Sequence, residues 1–217
     1  MRDYFTVGNC KKLLAGCERA GINTVQARAD HFTMRLLNEY RLEGGRLQWI
    51  ATTASEYADL RYNLREMSAL QPIGIFHHGT VTDEFWSQGK IDQIRERLKL
   101  IRQTGALAGL GTHNPEVVDY VESKGWDLDF YTTALYQVGV RTREQVEKIL
   151  GRKHEGLAGD FFWDSDREKM LERVRRTAKP CLVIKVYGAS RNCASPESRL
   201  AAIQLAFRYA KPGDARS

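Results

Sequence analysis

The sequence lacks the features that mark several large classes of protein. It has no apolar run long enough for a membrane span, and its first residues, MRDYFTVGNCKK, do not contain the apolar stretch of a signal peptide. Its few cysteines form no CxxC pair, which argues against a disulfide framework. These cysteines are Cys10, Cys17, Cys181 and Cys193. We therefore expect a cytoplasmic protein with reduced thiols and no membrane partner.

Two further absences narrow the expected ligands. No glycine-rich loop has the spacing of a phosphate-binding motif. The formal net charge is +6, but no long basic run is interleaved with aromatic residues. Basic residues instead alternate with acidic ones along predicted helices, as in REQVEK (143–148), which is typical of a solvated helix face. The expected partner is therefore a small-molecule substrate rather than a nucleic acid.

Apolar runs of strand length alternate with segments of helical period over the whole chain. This alternation is typical of βα units and a parallel sheet. The 217 residues, 42% of them hydrophobic, are enough for the core of one domain. The six predicted strands are GINTVQAR (21–28), LQWIATTA (47–54), PIGIFHHG (72–79), ALAGLGTH (106–113), DLDFYTTALY (127–136) and KPCLVIKVYG (179–188).

Two architectures fit six strands separated by helices. One is an open doubly wound sheet, and the other is a TIM-type (β/α)8 barrel that lacks its first and last strands. A complete barrel needs about 250 residues, so this chain is short by roughly one βα unit. We expect the incomplete barrel, with residues 1–217 as a single domain and the insertion at 154–165 beside the site.

Polar side chains follow every predicted strand, at the edge where both architectures place the active site. The candidate catalytic residues at this edge are His78, His113, Asp30 and Lys185. Because side chains alternate along a strand, only one of His77 and His78 faces the barrel axis. We expect His78 to face a substrate cavity and His77 to pack outward against a helix.

Three chemistries suit these residues. His113, one imidazole of the His77–His78 pair, and a carboxylate from Asp30 or Glu56 are a candidate divalent-metal site. Lys185 lies in an apolar run and is a candidate for Schiff-base chemistry, because burial favours the neutral amine. The third chemistry is hydride transfer, for which the argument rests on a family resemblance.

The segment GKIDQIRERLKLIRQTGALAGLGTHNPEVVDYVESKGWDLDFYTTALYQV (89–138) resembles the middle of an aldo/keto reductase barrel. PIGIFHHG is similar to that family's strand ending in Leu-His. This similarity aligns His78 with the family's catalytic histidine. CLVIKVYGAS (181–190) resembles the later strand VMKPLGGG, and CERAGINTVQARAD (17–30) resembles the early AGINFFDTA. The resemblance covers roughly residues 9–214 and implies a nicotinamide cofactor, NADP, bound by Thr112, Thr132 and Tyr187.

The chain departs from this family at the catalytic residues. Gln26 stands where the family has its Asp, Thr53 stands where it has its Lys, and no Tyr follows at the family's spacing. Gly111 and Thr112 replace the Ser-Asn pair that holds the nicotinamide carboxamide, and Thr132 replaces the Gln that follows. Of the four catalytic residues, only the histidine is therefore matched.

Three functions follow from these observations. The first is a divergent aldo/keto reductase-like oxidoreductase that acts on a small carbonyl compound or polyol with NADP. The second is a metal-dependent or acid–base lyase, isomerase or hydrolase that uses His78, His113, Asp30 and Glu56. The third is a non-catalytic ligand-binding barrel fragment, in which a homo-oligomer covers the exposed strand edges.

Overall fold

The computed structural model describes residues 4–153, 155 and 161–214. The chain divides into two compact units. The first unit comprises Met1–His77 with Glu96–Ala108, and the second comprises His78–Arg95 with Gly109–Ser217. The assignment of residues 1–217 to one domain stays a prediction.

The first unit is a parallel sheet with helices between its strands. Strands β1, β2 and β3 pair in chain order. Its core is built on fully buried side chains such as Trp49, Met67 and Ile75, and the indole of Trp49 donates to the carbonyl of Ala27 over 3.1 Å. Its elements are α1 (Val7–Arg19), β1 (Thr24–Arg28), α2 (His31–Leu42), β2 (Gln48–Thr52), α3 (Leu60–Ser68) and β3 (Gly74–His77).

The second unit repeats the same architecture. Strands β4, β5 and β6 are parallel and also pair in chain order. Two elements, α5 (Ile94–Arg102) and β4 (Leu107–Thr112), contribute residues to both units. The other elements are α4 (Gly79–Ser87), a 3-10 turn (Ile91–Gln93), α6 (Pro115–Ser123), β5 (Phe130–Ala134), α7 (Arg143–Leu150), α8 (Ser165–Arg176), β6 (Cys181–Ile184) and α9 (Pro196–Tyr209).

Short polar side chains fix where most helices begin. Each accepts a hydrogen bond from a first-turn backbone N–H, which would otherwise lack a partner. At α7 and α9 the bond is reciprocated from the third helical residue, so that both helices start with a capping box. The capping residues are Thr6, Asp30, Asp59, Asn114, Thr142 and Ser195.

The six predicted strands are confirmed, and the chain is an α/β protein with parallel strands. Neither unit contains the reversal of strand order that an open doubly wound sheet requires. The TIM-type barrel itself stays a prediction. Within the described residues, no helix combines the length and apolar character that a membrane span requires. Of the predicted insertion at 154–165, residues 154 and 156–160 lie outside the described residues.

Candidate active site

His113 lies in the two-residue connection between β4 and α6 of the second unit. The strand ends at Thr112, and Asn114 caps α6 by accepting a hydrogen bond from the backbone N–H of Glu116 over 3.0 Å. Pro115 favours a helix start at this point, because its φ suits a helix and it has no backbone N–H that would need a partner in the first turn. The helix can therefore begin soon after the strand. His113 is therefore held between a strand end and a capped helix start, at the carboxyl edge of the sheet.

Asp83 of α4 binds this connection through both carboxylate oxygens. One oxygen accepts from the hydroxyl of Thr112. The other accepts from the backbone N–H of His113 over 2.9 Å and lies 2.8 Å from its Nδ1. Both side chains of the Asp83–His113 pair are more than nine-tenths buried. The hydroxyl of Thr112 also accepts from the backbone N–H of Asn114 over 3.0 Å, which fixes its orientation.

These contacts determine which imidazole nitrogen carries the proton. An ionised carboxylate only accepts hydrogen bonds, so Nδ1 of His113 must be the donor to Asp83. In the neutral ring, Nε2 then has its lone pair available. No hydrogen bond reaches Nε2 from any residue that the structure describes. The pair has the arrangement of an oriented general base, in which a carboxylate fixes one nitrogen and the other is left for a substrate.

Gly79 allows α4 to approach the end of β4. A Cβ at this position would lie 3.2 Å from the backbone nitrogen of Thr112 and 3.3 Å from Cε1 of His113. Two backbone atoms of β4 and the imidazole would therefore have to move by a few tenths of an ångström to accept a larger side chain. The glycine keeps Asp83, one turn further along α4, within hydrogen-bond distance of His113.

The two adjacent histidines have different environments. His77 ends β3 in the first unit and is buried, with Nε2 3.2 Å from Nη1 of Arg97 in α5. This contact with a helix is the one expected for the outward histidine. His78 precedes α4 in the second unit, and its carbonyl accepts from the backbone N–H of Thr82 over 3.0 Å. Its role as a catalytic residue stays a prediction.

The other predicted residues of the second unit lie on β5 and after β6. Thr132 is 1% exposed, and its hydroxyl has no hydrogen-bond partner among the residues described. Lys185 directly follows β6 and is exposed to solvent, yet loss of hydration lowers the pKa of its ammonium group. Tyr187 is also exposed. Thr112 is in contact with Asp83, as described above.

Asp30 and Glu56 of the first unit already have partners. A carboxylate oxygen of Asp30 caps α2 by accepting from the backbone N–H of Thr33 over 2.8 Å. Glu56 forms an ion pair with Arg28. Within the described part of the chain, no group of three or more His, Cys, Asp and Glu side chains has the geometry to hold a metal ion. The metal version of the second hypothesis therefore receives no support from these residues.

Sequence reasoning missed Asp83, the partner that orients His113. It lies in the middle of a short helix rather than at a strand end. A search for polar residues at strand ends therefore does not include it. The helical segment GTVTDEFWS gives no clear signal, since the buried residues of α4 beside Asp83 are Gly79 and Thr82 rather than large apolar side chains. A buried acid on a helix requires a partner, and an imidazole at a nearby strand end is a suitable one.

Comparison with known proteins does not assign the chain to a family. The scan of protein-family models returned no match. The search of curated proteins also returned no match.

Proposed function

We propose that the second unit is an acid–base catalyst of a lyase, isomerase or hydrolase reaction on a small molecule. His113 is the group that transfers the proton, and Asp83 is the residue that orients it. The observation that carries the proposal is the buried 2.8 Å contact between Asp83 and Nδ1 of His113, together with an Nε2 that no described residue engages.

The chemistry follows from this arrangement. Nε2 removes a proton from a substrate carbon, hydroxyl group or water, and the ring becomes an imidazolium. The carboxylate of Asp83 stabilises the positive charge and keeps the ring in place, and the same ring then returns the proton as a general acid. Thr112 supports the cycle indirectly, because its hydroxyl holds the second oxygen of the carboxylate.

Kinetics of matched variants test this proposal. A panel of small carbonyl compounds, polyols and esters identifies the best substrate of the wild-type protein. For that substrate we expect His113→Gln to lower kcat/KM by about 10²- to 10⁴-fold, because general acid–base catalysis is lost. Asp83→Ala should lower it by between about 10- and 10⁴-fold, because the ring loses the acceptor that fixes its orientation and tautomer.

His31→Gln is the control, since His31 is exposed in the first unit, and we expect its activity to equal that of the wild type. A folded His113→Gln protein with wild-type kcat/KM would contradict the proposal.

A nicotinamide-dependent reductase of the aldo/keto reductase type is a second proposal. The buried hydroxyl of Thr132 supports it, because the resemblance implies that this residue binds the cofactor and no described residue forms a hydrogen bond with the hydroxyl. The hydroxyl of Thr112, another residue expected to bind the cofactor, donates its proton to Asp83. In the reductase, Thr112 can therefore only accept a hydrogen bond from the cofactor while this contact is kept.

Thermal unfolding with NADPH tests the reductase. A cofactor at 100 times its Kd adds about 2.7 kcal/mol to the free energy of unfolding. Thr132→Val should remove this stabilisation, whereas Thr133→Val should retain it. Thr133 is a matched control, because it is equally buried, also lacks a partner among the described residues and faces the opposite side of β5. No stabilisation of the wild-type protein by NADPH would remove this proposal.

A homo-oligomer that covers the sheet edges is also a proposal. Among the described strands of its unit, β1 pairs with β2 alone, and β6 pairs with β5 alone. Unpaired strand edges favour association with another chain. Light scattering during gel filtration should give at least twice the mass of one chain, and a monomer at high concentration would contradict this expectation.

A further inference from the structure

Lys185 adopts a backbone conformation that is rare for its residue type. It has a φ of 62°, in the left-handed region that residues other than glycine seldom adopt. Such conformations persist where the surrounding structure holds them, and they are concentrated at functional sites. The residue stands directly after β6, at the carboxyl edge of the sheet in the second unit.

The loop after β6 is anchored on Tyr136, a buried residue that follows β5. The backbone N–H of Gly188 donates to the carbonyl of Lys185 over 2.9 Å. A Cβ on Gly188 would lie 2.9 Å from the Tyr136 hydroxyl oxygen, and the same oxygen accepts from the side chain of Asn192 over 2.9 Å. The loop is therefore fixed against a rigid aromatic ring, and its hydrogen bonds hold the backbone of Lys185.

The side chain of Lys185 is accessible and has no counter-charge. Among the described residues, no carboxylate forms an ion pair with its ammonium group, and no hydrogen bond engages it. Desolvation is the cause that lowers the pKa of this group. By contrast, Lys179 at the opposite end of the same strand forms an ion pair with Glu122 over 3.0 Å. A lysine that is accessible, partly dehydrated and without an acid partner reacts as a nucleophile.

Lys185 and His113 lie at the same edge, the carboxyl edge of the paired parallel strands β4, β5 and β6. The register aligns Thr112 of β4 with Thr133 of β5, and Thr133 with Val183 of β6. Two strand spacings separate β4 from β6, which corresponds to about 10 Å. A small molecule attached to a lysine side chain of several carbon atoms spans such a distance.

We propose that Lys185 is an imine-forming lysine and that the substrates of this site are small aldehydes or ketones. The inference deepens the acid–base function proposed above, and its proton-transfer step rests on that function. Imine formation itself depends on Lys185 alone.

The reaction balances without an external oxidant or reductant. The neutral amine attacks the carbonyl carbon to form a carbon–nitrogen bond, and the carbonyl oxygen leaves as water with the two amine protons. Protonation of the imine gives an iminium ion, which withdraws electrons from the neighbouring carbon. Nε2 of His113 then accepts a proton from that carbon, which gives an enamine, and returns the proton when the cycle reverses.

Reductive trapping tests the imine directly. Hydroxyacetone is the carbonyl probe, and cyanoborohydride supplies the hydride that converts an imine into a stable secondary amine. Peptide mapping should find the adduct on Lys185 at a rate at least about tenfold above that of the exposed Lys90 and Lys148. This selectivity should disappear in urea, because the lysines then share one environment. Equal labelling of Lys185 and the two exposed lysines in the folded protein would overturn the proposal.

Hydrogen exchange into hydroxyacetone in D₂O separates the two proposals. We expect the wild-type protein to accelerate exchange next to the carbonyl, and Lys185→Arg to lower the rate at least about tenfold. Arginine keeps the positive charge but cannot form the imine. Exchange that survives in Lys185→Arg would overturn the imine. Selective trapping combined with unchanged exchange in His113→Gln would retain the imine and remove the role of His113.

Discussion

Single residues decide whether the Asp83–His113 pair can form. Gly79 begins α4 at a point where a Cβ would lie only 3.2–3.3 Å from the backbone of β4 and the ring of His113, so that these atoms would have to shift to accept a side chain. Alanine is normally preferred over glycine within a helix, so the glycine stands here against local propensity. The close approach of α4 to the Asp83–His113 pair therefore favours a residue without a Cβ.

Gly79→Ala should therefore destabilise the protein, by about 1–3 kcal/mol, because the new methyl group forces α4 away from β4. Gly16→Ala in the interior of α1 is the matched control. There the nearest atom to a new Cβ is 3.8 Å away, and we expect stabilisation by up to about 1 kcal/mol. Urea unfolding of both variants measures the difference, and equal effects would show that the close approach at Gly79 is unimportant.

Sequence reasoning at this scale found residues but not their contacts. His113 and Lys185 are predictable because they lie near the carboxyl ends of predicted strands, and Lys185 also because it interrupts an apolar run. Asp83 was not identified, since a helical Asp is normally exposed and its partner is 30 residues away. The left-handed backbone of Lys185 has no signal in the sequence either, because that conformation is typical of glycine.

Strands and helices were more predictable than the contacts between them. All six strands were predictable because runs of strand length alternate with segments of helical period along the chain. The segment IDQIRERLKLIRQTG (91–105) has the apolar spacing of a single helix, but it forms a 3-10 turn followed by α5, which ends at Arg102. The connection of α3 to the strands was not predictable, because it depends on a single buried amide, that of Asn63.

Asn63 fastens α3 to the carboxyl ends of β1 and β2. Its side-chain oxygen accepts from the backbone N–H of Ala54, and its side-chain nitrogen donates to the carbonyl of Ala29, each over 2.9 Å. The residue is completely buried. Both ends of the amide are therefore used, and no isosteric side chain provides the same donor and acceptor.

Asn63→Asp should lower the free energy of unfolding by at least about 1–3 kcal/mol, because a carboxylate oxygen would face the carbonyl of Ala29. Asn38→Asp on the exposed side of α2 is the control, with an expected change within about 0.5 kcal/mol. Guanidinium unfolding curves of the two variants provide the comparison. Equal free energies of unfolding for Asn63→Asp and Asn38→Asp would show that the Asn63 amide does not hold α3 to the strands.

The stability of the whole molecule should depend on acidic pH through groups such as Glu122. Burial alone would raise the pKa of Glu122, but hydrogen bonds from Tyr131 over 2.7 Å and Lys179 over 3.0 Å outweigh it and lower the pKa below 4.5. A carboxyl group with a lowered pKa in the folded state stabilises the protein above its unfolded-state pKa. This contribution is lost as the pH falls through the folded-state value.

Glu122→Gln should be less stable than the wild type at pH 7, by about 1–3 kcal/mol, because two hydrogen bonds to a charged acceptor are weakened. The difference should shrink as the pH falls below 4.5 and on through the lower folded-state pKa, where the carboxyl group of the folded wild-type protein becomes protonated. Urea midpoints at several pH values measure it, with the exposed Glu172→Gln as the control. A difference that does not change with pH would count against this explanation.

The proposed function depends on Asp83 accepting the Nδ1 proton of His113 and leaving Nε2 for a substrate. Nitrogen-15 NMR of the histidine side chains measures it directly, because protonated and unprotonated ring nitrogens have distinct shifts. For the neutral ring we predict a proton on Nδ1 and none on Nε2, with this preference lost in Asp83→Ala, which removes the acceptor. A proton on Nε2 in the wild-type protein, or a tautomer that does not respond to Asp83→Ala, would contradict this assignment.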